Sequence, residues 1–232
     1  MTVILDNGET LDALPNDAAT AAHVVRIEGN ADLRGYAHPL PALRRIDGWA
    51  ILRDYAHALP DGLIVRGSLD LGDCTGLTTL PPGLTVGGWL SLRDCMGLTA
   101  LPDGLTVGAS LDLRGCTALT ALPPGLTVGG WLSLSGCTAL TTLPPGLTVG
   151  GALDLSDCTG LDRYCVGRDK RNYAFFGIPM RDGPRVIAGC RNYTAARAIA
   201  HWGPGGKSNR PDCLDLAKKA IALAERSKEE RP

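Results

Sequence analysis

LPPGLTVGGWLSLRDCMGLTA (residues 80–100), LPDGLTVGASLDLRGCTALTA (101–121) and LPPGLTVGGWLSLSGCTALTT (122–142) follow one another without a gap. Each is 21 residues long, and self-similarity at a period of this size is the mark of a solenoid. The Val before the glycine pair anchors the repeat. Val65, Val86, Val107, Val128 and Val149 are 21 apart, and Ile46 and Ile27 continue the series backwards in steps of 19. The two missing residues fall on the Leu-Pro side, where a loop shortens without moving a strand. Leu5 and the Leu11–Pro15 stretch resemble a degraded coil ahead of these, so about seven to eight coils are expected.

Within a coil, Leu132-Ser133-Leu134 alternates as a half-buried strand does. Pro144-Pro145-Gly146 excludes helix and marks a turn. Leu132, Leu134, Cys137, Leu140, Leu143, Leu147 and Val149 form the expected inward set. One turn cannot bury that set alone; the coils on either side must cover it. A fully buried Leu gives about 1.5 to 3 kcal/mol, and ordering the chain offsets most of that gain.

The L-x-L-x-x-C-x-x-L-x-x-L-P spacing resembles the leucine-rich repeat. The SGCTALTTLP wording is similar to variants in plant immune receptors and bacterial effectors. The resemblance covers residues 24–163 and implies a leucine-rich-repeat-like solenoid of β coils used for protein binding. The Gly-Gly pair and the four-residue step from Val128 to Leu132 depart from the family pattern. They leave an open horseshoe and a compact, β-helix-like cross-section as alternatives.

The outward strand positions carry the information that is not generic. The first column reads Asn30, Trp49, Ser68, Trp89, Ser110, Trp131, Ala152, and the second Asp32, Ile51, Asp70, Ser91, Asp112, Ser133, Asp154. The columns run in antiphase: a Trp coil has no Asp and an Asp coil has no Trp. Strands lie about 4.8 Å apart, so an Asp in every coil would cost roughly 0.9 kcal/mol per pair even in water. A third column holds Arg34, Arg53, Arg93 and Arg114. Trp and Arg are favoured interface anchors, and a row of exposed Trp requires explanation. The candidate binding residues are therefore Trp49, Trp89, Trp131, Asp70, Asp112, Asp154, Arg53, Arg93 and Arg114, set against the plainer reading of a soluble sheet face.

Residues 1–23 are expected to form an N-terminal edge, with a short helix within NDAATAAH (16–23), and residues 24–163 the solenoid. Residues 164–232 change composition and read as a small α+β C-terminal cap. There, Arg171–Ile178 and Pro184–Cys190 make a hairpin. Thr194 caps a helix stopped by Gly203, and Asp212 caps a last helix from Cys213 to about Lys228. The stretch VIAGCRNYTAARAIAHW (186–202) is similar to a module in some phage and bacterial repeat proteins.

Charge separates the two parts. From Leu59 to Cys158 three Arg face eight Asp, net −5; from Asp162 onward fifteen Lys or Arg face eight acids, net +7. Nucleic acid could engage only the basic end, and a solvated cap is the simpler reading. The start, MTVILDNGET, lacks the basic and long apolar regions of a secretory signal, and no apolar stretch is long enough to span a membrane. Cys74, Cys95, Cys116, Cys137 and Cys158 occupy one inward position, where they read as buried structural thiols. There is no C-x-x-C, so no metal and no cofactor is expected, and reduced thiols suit a cytoplasmic protein.

For chemistry, the cap offers Cys190 with His201, and Cys213-Leu214-Asp215, which matches the Cys-x-Asp motif of bacterial effector ubiquitin ligases. The Gly203–Ser208 loop lacks phosphate-loop spacing. The sequence thus favours a non-catalytic protein-binding scaffold. An effector-type cysteine enzyme and a nucleic-acid-binding cap are the alternatives, and oligomeric state is open.

Overall fold

The computed structural model describes residues 1–55, 57–144, 146–169, 174–180, 183–188, 191–206 and 210–229. The repeat folds as a β-solenoid of about six turns, with few helices and a small antiparallel sheet near the C-terminus. Each turn contributes two short strands, such as Thr106–Val107 and Leu111–Asp112, to two parallel ladders. Rungs pair in register at the sequence period: Leu90 faces Leu69 and Leu111, and Val107 faces Val86 and Val128. The expected inward set is buried in full, from Leu132, Leu134, Cys137 and Leu140 at 0% exposure to Leu143 and Val149 at 6%.

Each rung bonds to the turns on both sides of it, as a parallel ladder requires. On the first ladder Gly87 N donates to Val65 O (2.8 Å) and Gly108 N to Val86 O (2.9 Å), and on the second Leu90 N donates to Ser110 O (3.0 Å) and Leu92 N to Asp112 O (2.8 Å). A third row, Thr99 N to Thr78 O and Thr120 N to Thr99 O (both 3.1 Å), stitches the Leu-Pro side.

Between the ladders the turns come closest. A Cβ on Gly108, Gly129 or Gly150 would lie 2.2–2.3 Å from the carbonyl oxygen of the glycine one turn earlier. A different column, Gly35, Asp54, Asp73, Asp94, Gly115, Gly136 and Asp157, has positive φ between 56° and 74°. Only Gly and the short polar Asn and Asp visit that region routinely, which explains the Asp/Gly alternation before Cys in the repeat.

The N-terminal segment differs from the expected extra coil. Thr2–Leu5 runs antiparallel to Val24–Glu28 and pairs on its other side with Thr10–Leu11. This hairpin ends the first ladder, and helix α1 (Ala18–Ala21), whose Thr20 N–H is accepted by Asp17, follows it. The chain lacks the Val-x-Gly turn there, so it cannot step onto a further parallel rung.

At the other end a 3-10 turn (Thr159–Tyr164) leads into a four-stranded antiparallel sheet, Cys165–Arg168, Ala174–Met180, Gly183–Ala188 and Arg191–Thr194. The expected hairpin is its centre. The outer strands escaped sequence reading because they are short and carry Arg and Asn. Residues 171–173 and 189–190 of that hairpin lie outside the described residues. Phe176, Ile178 and Ile187 continue the solenoid core. Phe175 and Val186, on the opposite face, pack with Trp202, Cys213, Ala217 and Ala220 of helices α2 (Ala195–Trp202) and α3 (Pro211–Glu229). Thr194 caps α2 as expected, accepting the Arg197 N–H, and Gly203 ends it. Asp212 lies inside the first turn of α3 and pairs with Arg210 (3.0 Å) instead of preceding the helix. Pro211 opens α3 because its missing N–H has no acceptor to lose there.

Gly129→Ala is expected to cost about 1 to 3 kcal/mol, since the added methyl must push two backbones apart. Gly76→Ala, where an added Cβ meets nothing within 4 Å, is expected to stay within about 0.5 kcal/mol. Urea unfolding of both variants checks the pair.

Candidate functional site

The outward face of the second ladder is set by alternation about the buried Leu90, Leu92, Leu111, Leu113, Leu132 and Leu134. Trp49 and Trp131 stand on it, 41% and 38% exposed. Trp89 is half-buried, and its Nε1 has no hydrogen-bond partner. The antiphase of the columns has a cause that the repeat does not spell out. The Trp49 N–H is accepted by Asn30 Oδ1, the Trp89 N–H by Ser68 Oγ and the Trp131 N–H by Ser110 Oγ, each at 3.1 Å. Each Trp coil therefore rests on a coil whose small polar side chain satisfies its main chain. A Trp in every coil would remove that acceptor.

The Asp column is not an open acidic stripe. Asp112 is 1% exposed, and Ser91 and Ser133 beside it are buried too. Arg114 Nε and Nη2 clamp both oxygens of Asp112 at 2.5–3.1 Å, and the Arg114 N–H bonds Oδ1 (3.1 Å). Hydrogen bonding to Asp112 holds the Arg114 guanidinium above its ordinary range. Arg53 reaches Asp70 (2.8 Å) and Asp73 (3.5 Å), and Arg34 forks onto Asp32, whose carboxyl is held below the usual range by those bonds. Arg93 turns instead to its neighbour Asp94 (2.9 Å). The sequence-selected residues are thus brought onto one face, but their charges are largely neutralised within it. What is left exposed is a set of aromatic rings beside paired guanidinium groups, with Arg53, Arg93 and Arg114 exposed like Trp49 and Trp131.

The cysteine column is structural chemistry. Cys74, Cys95, Cys116, Cys137 and Cys158 each donate their thiol to a leucine carbonyl of the preceding turn, at 2.9–3.4 Å. Tyr36 and Tyr55, at the same position of the shorter coils, donate likewise to Pro15 and His38. Burial pushes Cys95, Cys116 and Cys158 up to about 12, and raises Cys74 and Cys137. Tyr55 rises to about 12 for the same reason.

In the cap, Cys213 is 1% exposed and donates toward Asp169 (3.8 Å), with burial raising its thiol. Asp215 points away to an exposed pair with Lys219 (2.8 Å), so the two ends of the Cys-x-Asp match do not converge. His201 stacks on Tyr193 (5.2 Å); Cys190 lies outside the described residues, as do Lys207 and Ser208 of the glycine-rich loop. Among the described residues no His/Cys/Asp/Glu group is arranged to hold a metal, and no helix is long and apolar enough to cross a membrane.

Among the described residues, recesses break the surface in several places. One, about 680 Å³, opens where the second short coil meets the first 21-residue coil, beside Tyr55, His57, Leu77 and Pro81. Another, about 650 Å³, lies between α2 and α3, beside Ala195, Ile199 and Ile221. A third, about 270 Å³, lies on the Trp face between Arg114, Trp131, Ser133 and Asp154. Fold and face together define a β-solenoid with an aromatic, charge-paired flank. No protein-family model matches the sequence, and neither the curated proteins nor the solved structures yield a match.

The five column thiols and Cys213 are expected to resist an aromatic disulfide reagent near neutral pH, since little thiolate forms when the pKa is raised. They should react together on unfolding in urea. Rapid labelling of Cys213 in the native protein would contradict the buried assignment.

Proposed function

We propose that this chain is a non-catalytic protein-interaction scaffold of the leucine-rich-repeat-like class, binding a protein partner through the outward face of its second ladder. The observation that carries this reading is the pair of Trp49 and Trp131, more than a third exposed on a face whose backbone is fixed rung by rung. A rigid aromatic loses little freedom on docking, so its buried area is kept as affinity. The Arg–Asp pairs flanking the Trp column supply polar rim and register rather than raw affinity. Seven unpaired cysteines among the described residues suit a reducing compartment such as the cytoplasm.

The Trp49/Trp89/Trp131→Ala triple variant is expected to lose partner capture from the source cell's lysate by at least about tenfold, with unchanged circular dichroism. Equal capture by the folded variant and the wild type would remove the face from consideration.

A further inference from the structure

Asp154 is the exception in its column. Asp32, Asp70 and Asp112 each hold an arginine. On the last rung the third outward position is Ser156, and Asp154 Oδ1 takes the Ser156 N–H (3.0 Å) and hydroxyl (2.6 Å). Among the described residues no cation forms an ion pair with it and no donor reaches its second oxygen, although its charge is felt by Arg114. The carboxylate borders the 270 Å³ recess described above, with Trp131, Leu132, Ser133, Ala152 and Arg114 as the other walls.

A second observation at the same place is independent of that charge. Ser133 is 4% exposed, lines the recess, and its Oγ has no hydrogen-bond partner. A buried hydroxyl left unpaired costs free energy, and a ligand donor would relieve that cost. Arg114 does not serve this role, being committed to Asp112 through three side-chain bonds.

The recess thus combines an aromatic wall, a carboxylate with no ion-pair partner among the described residues and an unsatisfied acceptor. Its volume lies below the roughly 300 to 1,000 Å³ of small-molecule pockets, so it suits a single inserted side chain. We infer that it receives one lysine or arginine side chain from a basic segment of the protein partner. The cationic head pairs with Asp154 and donates to Ser133 Oγ, while the stem or guanidinium plane lies on Trp131. The solenoid's net charge of −5 over residues 59–158 attracts such a segment from a distance. This inference rests on the reading of the Trp face as a protein-binding surface and names the chemistry that the face selects.

The test uses the full chain and a fluorescein-labelled Gly-Lys hexapeptide, followed by anisotropy at low salt, with a Gly-Glu hexapeptide as counter-probe. Asp154→Asn keeps the Ser156 bonds and is expected to weaken binding of the lysine peptide about tenfold. Ala152→Phe, at an exposed position that fills the recess, is expected to do the same and serves if the Asn variant is unstable. Asp32→Asn removes an equal charge at the far end of the face and is expected to change affinity less than about twofold. Equal weakening by Asp154→Asn and Asp32→Asn would overturn the site in favour of diffuse attraction. So would preference for the Gly-Glu peptide, or absence of binding at millimolar peptide. Those results would leave the Trp-face reading standing if the triple Trp variant still loses its captured protein. Retention by the triple variant would sink that reading and, with it, this inference.

Discussion

A single turn of this chain has almost no hydrogen bonds of its own along either ladder. Its strand N–H groups are accepted by carbonyls of the turns before and after it. The in-register contact between successive turns is therefore the interaction on which everything else rests. It demands a constant period, which the rungs keep from Val65 onward. It also demands that nothing protrude where the turns come closest, which is why glycine recurs at 87, 108, 129 and 150. The leucines supply most of the free energy, but their burial presupposes that stacking.

The same stacking produces the face. Because rungs align without offset, every side chain on the second ladder has a like-placed neighbour above and below. Composition along a column thus becomes a set of contacts: serine under tryptophan, arginine beside aspartate, thiol under carbonyl. A polar group buried in such a column must find a partner in its own turn or the next. Asp112 does so through Arg114, and the cysteines through leucine carbonyls. Trp89 Nε1 and Ser133 Oγ do not. The Ser133 hydroxyl lies beside the rung where the arginine column has already given way to serine.

Sequence reading reached the period, the inward set, the two outward columns and the Thr194 cap, because each is a regularity of spacing or of local capping chemistry. It missed what depends on geometry between turns. The Ser110 hydroxyl bonds a main-chain N–H 21 residues away, a contact that no pattern of side-chain types discloses. Asp112 counted as outward and charged, yet its arginine and its neighbours enclose it. The positive φ at Asp73 and Asp94 is written in the Asp/Gly alternation, but only a known turn gives that alternation meaning. Thr2–Leu5 carries coil-like leucine spacing without the turn residues that would commit it to a parallel rung, so antiparallel pairing prevailed.

The stacking of short parallel strands has an electrical consequence. In an α-helix all peptide dipoles add along the axis and leave half-charges at the ends. Along each strand here successive amides point alternately to the turn before and the turn after, so their fields along the solenoid axis largely cancel within each ladder. Lengthening the solenoid adds surface without building an end-to-end dipole. The long-range potential of this molecule is then written by its ionised side chains: an acidic barrel joined to a basic terminus, a lopsided charge distribution that would orient the whole rod as it approaches a charged partner.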